Sequence, residues 1–240
     1  MQLLRHGAWR QGTGVAMVAL AALVAAGCST GVKEFFGLDV ADPAASNIDL
    51  KQYHDPMVLL GRADKLYDQR NYLEAALTYE RFLELHRLHP KADFAQYRLG
   101  LSDLKQFRSV DRDIEPVTKA LKAFQLFLTN YPDSLYAADV RANVATCRRY
   151  LAESELSIGR FYYRQGTYPA AISRFEEVIK EFGDLPVKEQ TLYLLGQAYA
   201  ASGDHQQARE RLEQLLRQFP HSDYEQRAKD RLARLGGPDA

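Results

Sequence analysis

"GRFYYRQGTYPAAISRF", residues 159–175, decides how this chain folds. It carries Gly159, Tyr162, Gly166, Tyr168, Ala171 and Phe175, which return 37 residues later as Gly196, Tyr199, Gly203, His205, Ala208 and Leu212. Pro220 closes that second unit, 12 residues after Ala208. Upstream, Ala120, Phe124 and Pro132 repeat the second half of the pattern, again with 12 residues from Ala to Pro. Tyr72, Ala75 and Tyr79 supply a further copy, with Pro90 slightly delayed. Apolar residues fall three and four apart, the helical period, and strand-like alternation is absent. Breaks at Asn71, Pro90, 108–114, Pro132, Gly166, 183–186, Gly203 and Pro220 predict about ten short helices. Separate helices are expected at 134–150 and 152–165, and a solubilising cap at 221–235.

A small residue on each helix lets two axes approach closely, and Tyr or Phe fills the space between hairpins. Proline ends the second helix because it cannot donate to the helical ladder. One such hairpin cannot cover its own apolar face, so hairpins stack into a solenoid with a concave surface. The unit resembles the tetratricopeptide repeat. That resemblance implies an all-α solenoid of about ten helices, in four to five hairpins, over residues 57–235, with a short tail at 236–240.

The start of the chain reads differently. Arg5, His6 and Arg10 form a basic region without an acid, followed by "VAMVALAALVAA" (15–26). Twelve apolar residues are too few for a membrane-spanning helix, which needs about 20. They read instead as the apolar region of a secretory signal peptide over 1–27. Ala25, Ala26 and Gly27 before Cys28 resemble a lipobox, with Ala25 where Leu is usual, so Cys28 is expected to be lipidated. Ordinary signal-peptide cleavage with an incidental Cys28 is the alternative. Acyl chains contribute about 0.8 kcal/mol per buried CH₂, enough for a multiply acylated end to stay on a membrane. In the lipoproteins this resembles, Ser29 rather than Asp after the cysteine favours the outer membrane. Residues 28–56, mixed and aperiodic, read as a tether. Cys147, the other cysteine, sits in a helical pattern and is expected to be a small buried residue.

The 240 residues carry 31 basic and 31 acidic side chains. This neutral balance argues against nucleic-acid binding, which draws on a basic surface to release phosphate counterions. Hydrolase, zinc-protease, phosphate-loop and calcium-loop signatures are missing, so no catalytic residue, metal or cofactor is predicted. His86 and His89, at i and i+3, are the one pair spaced to chelate; they read as a solvated helix end, since metal sites need three or four ligands. Glu176, Glu177 and Glu181 alternate with Arg174 and Lys180, as a solvated face does. Concave-face positions of the early hairpins hold Leu60, Asp64, Tyr67, Phe94, Tyr97, Leu101 and Leu104. Tyr67, Phe94, Tyr97 and Leu104 are therefore candidates for a groove taking an extended peptide. Core packing between hairpins is the rival reading, above all for Leu60 and Leu101. The later repeat offers a more polar wall of Arg160, Tyr163 and Arg164.

One stretch interrupts the array. In "FRSVDRDIEPV" (107–117), Asp113, Glu115 and Pro116 are helix-start chemistry. From Gly100 to Ala120, however, is 20 residues instead of 12, so eight extra residues sit inside one hairpin. Asp111 and Arg112 have no account from capping. This interrupted repeat, "RLGLSDLKQF…SVDRDIEPVTKALKAFQLFLTNYPDSLYAADVRANV", followed by "LAESELSIGRFYYRQGTYPAAISRFEEVI", resembles the BamD family of lipoproteins of the outer-membrane β-barrel assembly machine. The likeness runs from 57 to about 220, with Asp111, Arg112 and Asp113 as its signature loop. It implies a non-enzymatic scaffold, lipid-anchored on the periplasmic face of the outer membrane. Implied partners are a BamA-like insertase with POTRA domains, other assembly lipoproteins and unfolded β-barrel substrates. Arg174 occupies the family's arginine that pairs with a POTRA acid, and Arg160 and Arg164 are expected beside it. Family members carry two hairpins before the interruption, whereas this chain has room for one (57–88). The rival readings are another envelope lipoprotein of the same repeat, such as a secretin pilotin, or an adaptor for a peptidoglycan enzyme.

Overall fold

The computed structural model describes residues 54–236, and within them every regular element is a helix. They are α1 (Pro56–Asp68), α2 (Tyr72–Leu85), α3 (Ala92–Gln106), α4 (Glu115–Asn130), α5 (Ala137–Arg164), α6 (Tyr168–Phe182), α7 (Val187–Ser202), α8 (His205–Gln218) and α9 (Glu225–Leu235). Each helix packs against the next, giving four hairpins and a closing helix in a tetratricopeptide-type array. The expected signal peptide, Cys28, most of the tether and tail residues 237–240 lie outside the described residues.

The repeat spacing is a packing contact. A Cβ on Gly159 would stand 2.4 Å from the buried Phe175 ring, one on Gly100 2.4 Å from Phe124, and one on Gly196 2.7 Å from Leu212. In the first hairpin Ala63 faces the same task beside Tyr79, and both are fully buried. Glycine therefore sets how closely each pair of helices approaches. Gly166 (φ 75°) and Gly203 (φ 88°) turn the chain between helices in the left-handed region that glycine enters freely. Arg70 (φ 62°) holds the corresponding place in the first hairpin, with the steric cost a Cβ brings there.

A second repeat, 88 residues long, joins the hairpins. "YPDSLY" (131–136) and "FPHSDY" (219–224) both follow a second helix. Ser134 donates to Asp93 Oδ2 (2.7 Å), and Ser222 donates to Glu189. Tyr136 stacks on Tyr97 with centroids 5.0 Å apart, and Tyr224 stacks on Tyr193 at 4.9 Å. The proline stops the helix, the serine ties the turn to an acid, and the tyrosine seats the next helix.

Residues 134–150 and 152–165, expected as two helices, are one. α5 runs unbroken for 28 residues because no Gly or Pro occurs from Ala137 to Ile158. What changes near residue 151 is the buried face. Val140 and Cys147 belong to a core with Val117, Phe124 and Phe127, whereas Leu156 belongs to one with Phe175 and Val178. The periodicity breaks where the helix passes from one core to the next. The described helices accordingly number nine, where about ten were expected.

Candidate functional site

α1, α3 and the turn before α5 bring Tyr67, Phe94, Tyr97 and Tyr136 together around Arg98. The Arg98 guanidinium lies 4.3 Å from the Tyr67 ring centroid and 5.3 Å from that of Phe94. Phe94 in turn meets Tyr136 at 5.8 Å, edge-tilted. Arg98 Nε is 3.9 Å from Asp64 Oδ1, which also accepts a hydrogen bond from the buried Tyr79 hydroxyl. Burial first, and then that bond to Asp64, push the Tyr79 hydroxyl up from its ordinary pKa. Burial likewise raises Tyr97, helped by the charge of Asp139. Three of the four predicted groove residues are therefore gathered and half-buried. Leu104, also half-buried, packs with Tyr97 and Tyr136 on the core of Val117 and Phe124. Leu60, 2% exposed, is core as well. Sequence reading missed Arg98 and Tyr136, although Tyr136 is the last letter of the recurring Pro-x-Ser-x-Tyr element. The assembly offers aromatic faces beside a held cation, chemistry for recognition and not for proton transfer.

A groove of about 880 Å³ lies over the middle of α5. Its floor holds Ala152, Leu156 and Ser157, and Arg160 lines it; Val110 and Asp111 of the inserted loop form one wall. Leu185 and Pro186 between α6 and α7, with Val187 at the start of α7, form another. The loop is seated, not free. Ser157 Oγ donates to Asp111 Oδ1 (2.6 Å), Ser154 Oγ donates to the Val110 carbonyl (3.1 Å), and Phe107 packs on Tyr150 at 4.6 Å. Asp111, unexplained by capping, is thus the loop's latch to α5. Asp113 accepts from Glu115 N (2.9 Å) but sits one residue outside the cap, which is Ile114. Arg112 is exposed, and nothing in the structure explains it.

Of the three arginines predicted to act together, Arg160 and Arg164 stand one turn apart on the same side of α5, and Arg174 is set apart from them. Arg174 of α6 pairs with Glu155 of α5 (Nη1–Oε2, 3.0 Å). Arg160 faces the central groove, roughly 140° around α5 from Glu155 at 100° per residue. Arg164 is exposed in the last turn of α5, where a cation suits the helix C-terminus. Earlier on α5, Arg148 clamps the end of α6, with Nη2 to Asp184 Oδ1 at 2.7 Å and to the Glu181 carbonyl at 3.1 Å. The fork holds the Asp184 carboxyl below its ordinary pKa.

His86 and His89 do not share a helix face, because α2 stops at Leu85 with His86 as its cap. His86 Nε2 is 2.7 Å from the His54 carbonyl, His89 Nδ1 accepts from Lys91 N (3.1 Å), and both rings pack on Phe82. They are half-buried turn residues, not a solvated helix end. Among the described residues no three His, Cys, Asp or Glu side chains converge as metal ligands, and no helix is long and apolar enough to cross a membrane. Cys147 is fully buried, and burial pushes its thiol up to about 11.

Residues 52–213 match the model of the YfiO family, described as "Outer membrane lipoprotein". Several relatives are named outer membrane protein assembly factor BamD. That of Vibrio cholerae is 34% identical over 153 residues, 60% of this chain and 63% of its own length. That of Neisseria meningitidis serogroup A is 31% identical over 167 residues, 65% of this chain and 62% of its own. That of Caulobacter vibrioides is 32% identical over 143 residues, 60% of this chain and 47% of its own. The matched segment therefore spans less than two thirds of each relative. Among solved structures, the TPR2AB-domain:pHSP90 complex of yeast Sti1 covers 75% of this chain and 70% of its own at 18% identity and a TM-score of 0.38.

Proposed function

The chain belongs to the YfiO family of outer membrane lipoproteins, and from that premise we propose that it is an outer-membrane protein assembly factor. In this reading it is a non-enzymatic scaffold, anchored through an acylated Cys28 to the periplasmic face of the outer membrane. Its work is binding: it docks the POTRA domains of a BamA-like insertase, alongside other assembly lipoproteins, and receives segments of unfolded β-barrel substrates. The observation that carries the reading is the interrupted hairpin. The loop at 107–114 falls inside the family-matched segment and is latched to α5 through Asp111.

The half-buried aromatics Tyr67, Phe94 and Tyr97 suit an apolar or aromatic peptide side chain, with Arg98 at hand for a carboxylate. Arg160, which lines the groove, is available to a partner's acid. Arg174 would have to exchange Glu155 for one, so its contribution is the difference between two ion pairs. An exposed pair contributes under about 1 kcal/mol, and a desolvated interfacial one several-fold more.

Pull-down from detergent-solubilised outer membrane tests this. A POTRA-bearing barrel protein should co-purify, and Arg160→Glu with Arg174→Glu should reduce its recovery. Recovery of a secretin without any POTRA-bearing barrel would sink the reading in favour of a pilotin. Membrane association and lipid labelling that survive Cys28→Ser would reject the anchor.

A further inference from the structure

The 88-residue repeat makes the two tyrosine stacks comparable position by position. After Tyr136, α5 carries Asp139, Asn143 and Thr146; at the same offsets after Tyr224, α9 carries Arg227, Arg231 and Arg234. Opposite them, Tyr97 and Tyr193 correspond, but Leu101 of α3 is replaced by Gln197 of α7. The three compared positions of α5 and α9 are thus one acid and two neutral polar residues at one end and three arginines at the other.

The three arginines, at i, i+4 and i+7, lie on one face of α9. With Tyr193, Gln197 and Asp230 they line a pocket of about 190 Å³. Arg227 stands 5.8 Å from the Tyr224 ring centroid, and Gln197 Nε2 donates to the Tyr193 hydroxyl (2.6 Å). Asp230, the one acid present, accepts from Gln226 (2.8 Å). Other cations nearby are neutralised: Lys229 pairs with Glu225, and Arg217 with Glu213 (3.5 Å). Among the described residues Arg227, Arg231 and Arg234 make no ion pair, and the buried Arg231 Nε has no hydrogen-bond partner. Like charges one turn apart repel, so this stripe carries a cost that a bound anion would relieve.

We propose that this pocket between α7 and α9 binds an acidic segment of another protein, taking two or more carboxylates on its guanidinium forks. Planar guanidinium groups match carboxylates bidentately. A lipid surface is the poorer fit. The large apolar side chains exposed among the described residues, from Met57 to Phe161, all lie on or before α5, leaving α7–α9 none to enter a bilayer. Tyr193 and Gln197 lie inside the family-matched segment, which ends at 213, and the three arginines of α9 lie beyond it.

Fluorescence anisotropy of a fluorescein-labelled hexaglutamate peptide with the full-length protein in detergent tests the proposal. Arg227→Gln with Arg234→Gln changes two exposed side chains and should weaken binding at least fivefold with helix content unchanged by circular dichroism. Adding Arg231→Gln should bring the loss above tenfold. Arg62→Gln with Arg70→Gln, an equal change of charge at the other end, should alter it less than twofold. Equal losses in the two double variants would reduce the effect to net charge and overturn the proposal. So would displacement of the peptide by equimolar inorganic phosphate, or tighter binding to phosphatidylglycerol vesicles that the same α9 substitutions abolish.

Discussion

Asp103 is the one charged residue that is buried among the described residues, at 8% exposure. Burial pushes its pKa up to about 6, with Glu80 raising it further and Lys119 opposing. Its partner is weak, a Gln106 Nε2 donor at 3.4 Å. A carboxyl whose folded pKa exceeds its unfolded one holds its proton more tightly when folded. Its contribution is therefore complete below about pH 4 and is lost as pH rises through about 6. Above that, the ionised folded state carries a cost of about 2–3 kcal/mol, from roughly two pKa units at 1.36 kcal/mol each. Asp103→Asn keeps the oxygen that Gln106 reaches and removes the charge. It should raise the urea midpoint at pH 7 and flatten the stability profile between pH 4 and 6. A variant less stable than the parent at pH 7 would show that the carboxylate is compensated by groups not seen here.

At the scale of elements, the loop at 107–114 is held by two serines of α5, so its order and the central groove stand or fall together. Ser157→Ala and Asp111→Ala each remove the same hydrogen bond at the surface, worth about 1 kcal/mol. Exchange of the loop amides, read by hydrogen–deuterium mass spectrometry, should rise about fivefold in either variant, the factor that about 1 kcal/mol corresponds to. The double variant should be no worse than either single one, because both report one contact. Additive losses would mean that Asp111 and Ser157 act separately. This loop also marks how far sequence carries. Its presence was legible as eight residues too many between Gly100 and Ala120, but its seat was not, since Ser154 and Ser157 lie 44 and 46 residues away from their partners. Likewise the Gly-to-Phe spacing announced the hairpins because it is itself the contact. Tyr67, Phe94 and Tyr97 were found from their register, while Arg98 and Tyr136 complete the cluster from positions that register does not single out. Arg174 looked like one group with Arg160 and Arg164 only because order along the chain does not say that α6 turns it to Glu155, on another side of α5.

Across the helical array, α5 is what the repeats hang from. A stack of hairpins is stabilised by each unit and by its interfaces with neighbours, so it unfolds as one body only while those interfaces hold. Here the two central cores, one with Phe124 and Phe127 and the other with Phe175 and Val178, share no second helix; α5 itself enters both. Its middle turns, where the buried face changes sides, carry the coupling through backbone hydrogen bonds, beside the surface ties of Ser154 and Ser157 to the 107–114 loop and of Arg148 to Asp184. Arg149 is exposed there, and its pairing with Glu153 at 3.7 Å and its place 4.9 Å from the Tyr150 ring centroid each contribute about 1 kcal/mol or less, so its replacement by proline acts mainly on the backbone. Arg149→Pro removes one helical hydrogen bond and sets the ring against the carbonyl of residue 145, a cost of about 3 kcal/mol or more. The parent should unfold in urea in one transition seen alike by circular dichroism and by alkylation of Cys147, whose buried, high-pKa thiol reacts only on opening. In the proline variant, on a Cys28→Ser background, Cys147 should become reactive at lower urea than the loss of half the helical signal. Coincident curves at a merely lower midpoint would show that contacts other than α5 tie the two halves into one cooperative unit.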